Sequence, residues 1–117
     1  MLTSLLAATL NAALSVQVGD AAPPITATAW LNASDPKLTG QPVLVEFWGT
    51  WCGPCVAAMP HVQDLWTRYR DKGLAMAAIS YEEPAVMQPF LDKHGYTMPA
   101  GSDPTKACIE AFGIESW

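Results

Sequence analysis

The chain has 117 residues, half of them apolar, and carries 6 Lys plus Arg against 11 Asp plus Glu, a net charge of −5. That length makes one domain with little core to spare. The acidic balance excludes the basic surface that nucleic-acid binding needs, and 3 cysteines are too few for a disulfide framework.

Met1 to Gly19 holds no charged residue, and Leu2, Leu5, Leu6, Leu10, Ala13 and Leu14 approximate an apolar helical face interrupted by Thr3, Ser4, Thr9, Asn11 and Ser15. A membrane span asks for ~20 predominantly apolar residues. A secretory signal asks for a basic leading region and a small-x-small cleavage site. Neither pattern is clean, so residues 1–18 read either as a signal or anchor remnant, with N-terminal membrane association, or as a packed N-terminal helix. Val16-Gln17-Val18 is expected as a short edge strand, and Gly19-Asp20-Ala21-Ala22-Pro23-Pro24 as the turn-rich boundary that opens a domain over 19–117. Ile25 to Leu31 alternates as a strand. The turn clusters Asn32-Ala33-Ser34-Asp35-Pro36 and Thr39-Gly40-Gln41-Pro42 follow it, with hairpin geometry between them.

Val43-Leu44-Val45-Glu46-Phe47-Trp48 is a β-branched and aromatic run with one carboxylate, the pattern of a buried central strand. Cys55, Met59, Val62, Trp66 and Tyr69 then recur at helical spacing. Pro54 suits the first helical position, where its missing N–H and fixed φ cost nothing. Cys52 therefore falls at a helix N-terminus, where free amides and the helix dipole favour a thiolate. Cys55, one turn into the helix, is expected to be the more buried of the two. Glu46 reads either as a buried carboxylate, held protonatable near neutrality by desolvation, or as a side chain pointing outward from an edge strand. A zinc site needs a second ligand pair, and only His61, His94 and Cys108 remain, so no metal is expected. His61 reads as an exposed helical residue, His94 as a helix-end residue favoured by the dipole, and Cys108 as a small buried hydrophobe.

The helix is expected to close at Gly73, and Leu74 to Ser80 to form a second buried strand. Strand, helix and strand make a parallel βαβ unit, with Cys52 at the C-terminal edge of the sheet, where α/β proteins place their sites. Glu82-Glu83-Pro84 opens a helix toward Leu91, Lys93 and His94, closed by Gly95. Pro89 implies a kink or a start near Gln88. Asp103-Pro104 reads as N-cap and first position of a last short helix, with Ala107, Cys108, Ala111 and Phe112 on one side.

Glu46-Phe47-Trp48-Gly49-Thr50-Trp51-Cys52-Gly53-Pro54-Cys55 resembles the active-site segment of the thioredoxin superfamily. Gly19-Asp20-x-x-Pro23 and the elements after the active-site helix resemble its TlpA/ResA-like branch of cell-envelope thiol:disulfide reductases. The resemblance implies an α/β thioredoxin-like fold, a mainly parallel central sheet flanked by helices. Members continue past the equivalent of Trp117 with a cis-proline, two antiparallel strands and a closing helix, so the expectation is a domain truncated before the cis-proline loop and open at a sheet edge.

The implied function is a thiol:disulfide oxidoreductase, with Cys52 attacking and Cys55 resolving. The leading thiol's pKa falls from ~8.5 to roughly 3.5–7.5 in such motifs, a shift for which thioredoxin is itself a known instance. Glu46 stands where the family has a buried acidic residue that moves the Cys55 proton. Trp48 and Trp51 read either as packing aromatics or as an apolar rim that docks substrate, with Trp51, Gly53 and Pro54 at the rim and Trp48 as its support, and Pro60 resembles the proline that kinks the active-site helix in that family. No cofactor is implied. The implied partners are disulfide-containing proteins and a membrane or soluble thiol donor, in the periplasm or cell envelope, with the cytoplasm as the alternative. Two other functions stay open, a non-catalytic thioredoxin-like fragment or binding module, and a peroxiredoxin-type peroxidase, whose proline ahead of the cysteine is not in place.

Overall fold

The computed structural model describes residues 16–117, so most of the apolar leading stretch lies outside the described residues. Among the described residues no helix is long and apolar enough to cross a membrane. Strands β1 (Ala29–Leu31), β2 (Val43–Phe47), β3 (Ala75–Ser80) and β4 (Ala100–Ser102) form one sheet in the order β1-β4-β3-β2. β2 is parallel to β3 and β3 to β4, whereas β1 runs antiparallel to β4. The helices are α1 (Gly53–Tyr69), α2 (Pro84–His94) and α3 (Ala107–Ala111).

Side chains alternate across a strand, and β3 shows how the sheet divides two cores. Met76 and Ala78 pack with Met59 and Val62 of α1 and Met87 and Leu91 of α2. Ala77 and Ile79 pack with Ile109 of α3. Every residue of β3 is buried, as a parallel strand covered on both faces must be. α1 ends in a 3₁₀ turn, Arg70–Lys72, that Gly73 closes at φ 94°, a left-handed conformation that glycine adopts without strain.

Several elements differ from expectation. Val16-Gln17-Val18 is no strand but enters a turn, in which the Asp20 amide donates to the Gln17 carbonyl at 3.0 Å. The strand expected from Ile25 narrows to Ala29–Leu31 and forms no hairpin with β2. The two lie at opposite edges, because β1 finds its partner in β4. β2 is itself an edge strand of the described sheet, and all of its residues are half-buried, so the interior positions belong to β3 and β4. Hydrophobic pattern reports burial and is blind to strand order.

β4 was not foreseen. Its sequence, Ala100-Gly101-Ser102 after Pro99, lacks the β-branched and aromatic residues that mark strands. A Cβ at Gly101 would stand 2.7 Å from Ile79 Cδ1 and 2.9 Å from Ala27 Cβ, so close packing with its neighbours dictates glycine there.

α2 runs unbroken from Pro84 through Pro89 instead of starting near Gln88. Pro89 faces solvent, where the backbone group it leaves unpaired can reach water. α3 starts at Ala107, not at Pro104, and buries Cys108 and Ile109 while Ala107 and Ala111 are exposed. Asp103 nonetheless serves it. The buried Asp103 carboxylate accepts from the Cys108 and Ile109 amides at 3.0 and 3.1 Å, satisfying helix-end donors from a loop position. Tyr69, on the helical face predicted to be apolar, is 40% exposed because it lies in the last turn of α1, past the sheet.

Candidate active site

β2 ends at Phe47, and the next five residues turn the chain into α1. The Trp48 amide extends the ladder to the Ile79 carbonyl at 3.0 Å, and the Cys52 amide donates to the Gly49 carbonyl at 3.1 Å. Cys52 is the N-cap of α1, in extended conformation, and its sulfur accepts from the Cys55 amide at 3.3 Å. Pro54 is the second helical residue, after Gly53, one position later than the spacing predicts. Cys52 and Cys55 are joined as a disulfide, with their Cα atoms 5.2 Å apart. The sulfur at the N-cap occupies the site where a thiolate would be stabilised once the bond is reduced.

Burial of the pair reverses the expectation. Cys52 is only 4% exposed, whereas Cys55 is half-buried. Cys52 is held in the turn by its amide's bond to the Gly49 carbonyl, while Cys55 lies on the first turn of α1 beside exposed Gly53 and Pro54.

Alternation along β2 settles which way Glu46 points. Val45 and Phe47 pack with the α3 core, and Leu44 and Trp48 with the α1 core, so Glu46 belongs to the α1 face, the face of Cys55. It is half-buried, and burial pushes its carboxyl above the ordinary carboxylate range. The folded chain therefore keeps this proton at pH values where the unfolded chain has released it, and stability falls as pH rises through that window. Glu46→Gln is expected to match the wild type near pH ~4, where both carry a neutral side chain, and to become the more stable of the two toward neutrality. Urea unfolding at several pH values measures this. A gap that closes as pH rises would contradict it.

Trp48 is fully buried and tilts 39° to the Phe90 ring at 5.5 Å. Trp51 is 53% exposed and lies 6.1 Å from the Tyr81 ring and 6.0 Å from that of Trp117. Gly49 makes room for it, since a Cβ there would stand 2.5 Å from the Trp51 indole nitrogen. Lys106 Nζ caps the same cluster, 4.9 Å from the Tyr81 ring centre. Pro60 lies on the exposed side of α1, away from the pair.

The aromatic neighbours Tyr81 and Trp117, and Glu82, whose carboxylate accepts from the Thr50 amide of the same bend, were missed from sequence. Tyr81 and Glu82 follow β3 directly, so the rule that sites gather at the C-terminal sheet edge was the available signal. His61 is exposed as expected, and His94, in the last turn of α2, stacks on Tyr96 at 5.5 Å. Cys108 is free and buried, and burial pushes its thiol up, with Asp103 adding in the same direction against a hydrogen bond from Thr26.

A parallel βαβ unit that presents a Cys-x-x-Cys disulfide at the mouth of its helix is a thioredoxin-like domain, and solved structures agree. A thioredoxin-like protein determined in its oxidised form superposes with a TM-score of 0.68 at 29% identity, over 80% of this chain and 69% of the other. The chain belongs to the AhpC/TSA family, whose model matches residues 18–116. Among its relatives, the thiol-disulfide oxidoreductase ResA of Halalkalibacterium halodurans is 37% identical over 79 residues, which is 67% of this chain and 45% of that protein. The ResA of Oceanobacillus iheyensis is 36% identical over 94 residues, 74% of this chain and 49% of the relative. The chain thus spans about half the length of these curated relatives.

Proposed function

We propose that this protein is a thiol:disulfide oxidoreductase that reduces protein disulfides through the Cys52/Cys55 pair. The observation that carries the reading is the disulfide itself, held with Cys52 as N-cap of α1. Relatives named thiol-disulfide oxidoreductase support it. In the cycle, the Cys52 thiolate attacks a substrate disulfide, forming a mixed disulfide and releasing one substrate thiolate. Cys55, losing its proton to the Glu46 carboxylate, then attacks Cys52 Sγ, and the second substrate thiolate leaves. Two electrons pass to substrate, and a thiol donor, membrane-bound or soluble, restores the dithiol. Exposed Trp51, with Gly53 and Pro54 beside the disulfide, forms the surface that meets the substrate polypeptide.

We place this activity in the cell envelope, on the resemblance to the TlpA/ResA-like branch and the uncharged apolar stretch Met1 to Gly19. The deciding experiment equilibrates the protein in glutathione buffers, read by tryptophan fluorescence, and assays insulin-disulfide reduction. A two-electron transition with a folded protein at both ends, and turnover on insulin, is the expected result. Turnover with a hydroperoxide and none with insulin would replace this reading with the peroxidase one. A pair that never closes would leave a binding module.

A further inference from the structure

The bend that carries the cysteines is tied to the neighbouring strand by one side chain with no role in the cycle above. Glu82 Oε1 accepts from the Thr50 amide at 2.8 Å, and Glu82 Oε2 from the Thr50 hydroxyl at 2.5 Å. The carboxylate is anchored in turn, because Ser80 Oγ donates to Oε1 at 2.9 Å and itself accepts from the Glu82 amide at 3.2 Å. Ser102 Oγ donates to the Glu82 carbonyl at 2.7 Å, which fastens the same turn to β4. Five hydrogen bonds, two of them to Thr50, thus join the ends of β3 and β4 to a residue two positions before Cys52.

We propose that Glu82 is a positioning residue for the redox pair, whose carboxylate straps Thr50 to the end of β3 and so fixes the Cys52 sulfur over the first turn of α1. The proposal builds on the reading of Cys52 as the attacking thiol. Between Trp48, held on Ile79, and Cys52, held on Cys55 and Gly49, Thr50 is the corner of the bend, and Glu82 is the side chain that holds it. Two bonds from one planar side chain to the amide and the hydroxyl of the same residue fix both its distance and its orientation, so the tie is stiff through its geometry. Released, the bend can swing the sulfur away from the Cys55 amide, and the thiolate loses part of the stabilisation that makes it reactive at neutral pH.

Geometry and charge make opposite predictions. If the strap matters, Glu82→Ala slows Cys52, whereas Glu82→Gln, whose amide still accepts from the Thr50 N–H and pairs with its hydroxyl, keeps the wild-type rate. If the carboxylate acted only through its negative charge, removing that charge would favour the thiolate, and both variants would react faster.

The test is the rate of alkylation of the reduced, full chain by iodoacetamide at pH 7, resolved by cysteine with mass spectrometry. Cys108, on the buried face of α3, reports whether each variant is folded. We expect Glu82→Ala to slow Cys52 by about threefold to tenfold, the span of a modest change in thiolate fraction. We expect Glu82→Gln to stay within about twofold, and Thr50→Val, which loses only the hydroxyl half of the tie, to fall between them. Should Glu82→Ala expose Cys108, Thr50→Val and Glu82→Gln, the gentler changes, decide the matter. An unchanged rate in Thr50→Val and Glu82→Ala, or acceleration in Glu82→Gln and Glu82→Ala alike, overturns the proposal. If Cys55 instead reacts first in the wild type, the reading of Cys52 as nucleophile fails and this inference with it. If Cys52 leads and the variants match wild type, only the role of Glu82 is lost.

Discussion

Cys55→Ser is expected to stop turnover on protein disulfides and to leave the substrate covalently attached at Cys52. Serine keeps the backbone amide that lies 3.3 Å from Cys52 Sγ, so the first attack retains its stabilised thiolate. What is lost is the second thiol, whose Cα is 5.2 Å away on the same helix turn. Well-oriented intramolecular groups act at effective molarities of about 10⁵ to 10⁸ M, and millimolar external thiol replaces such a group poorly. Insulin reduction should therefore fall by at least about a thousandfold in Cys55→Ser. A mixed disulfide that dithiothreitol releases should accumulate. Cys52→Ser should be equally inactive but trap nothing, since Cys55 alone lacks the N-cap position. Non-reducing electrophoresis separates the outcomes. Adducts on Cys52→Ser but not on Cys55→Ser would exchange the two roles, and turnover in Cys55→Ser near that of the wild type would remove the resolving step.

The chemistry was legible in sequence where it was local. Cys52, Cys55 and Pro54 fall within one turn, so spacing alone placed a sulfur at a helix N-terminus, and the structure puts it there. Trp51 is exposed and Trp48 buried, a division that fits the rim and support roles expected of them. Glu46 was open between two orientations, and alternation against Val45 and Phe47 became decisive only once the cores were known. What escaped is non-local. Thr50 and Glu82 are separated by 32 positions, and only the parallel pairing of β2 with β3 brings their loops together. β4 carries no strand signal because Gly101 answers to Ile79 and Ala27, not to its own backbone preference. The start of α3 was misplaced for a related reason. Asp103 looks like an N-cap and does accept from helix-end amides, but the chain inserts a turn through Pro104 and Thr105 before the helix begins.

Trp48→Ala is expected to cost more stability than any other change near the site. The indole is fully buried between the end of β2 and the α1/α2 layer, in the core that holds Met59, Met76 and Leu91, with Phe90 at 5.5 Å. Truncating a buried tryptophan to alanine costs about 3–5 kcal/mol, because the lost contacts are compounded by a cavity that does not fully collapse. A domain of this size has only about 5–15 kcal/mol in total, so the variant should sit near its threshold and melt on the order of 15–30 °C lower. The indole nitrogen tempers the comparison with phenylalanine. It has no hydrogen-bond partner among the described residues, and an unsatisfied buried donor costs about 1–3 kcal/mol. Trp48→Phe deletes that donor while keeping most of the ring, so its loss should be well under half that of alanine. Urea unfolding of both variants measures the difference. A loss below about 1 kcal/mol in Trp48→Ala would mean that the core under the active-site loop repacks. Because the Trp48 amide also ties the loop to Ile79, an unfilled space beneath it should slow Cys52 at temperatures where the variant remains folded, linking the packing of the core to the reactivity of the sulfur above it.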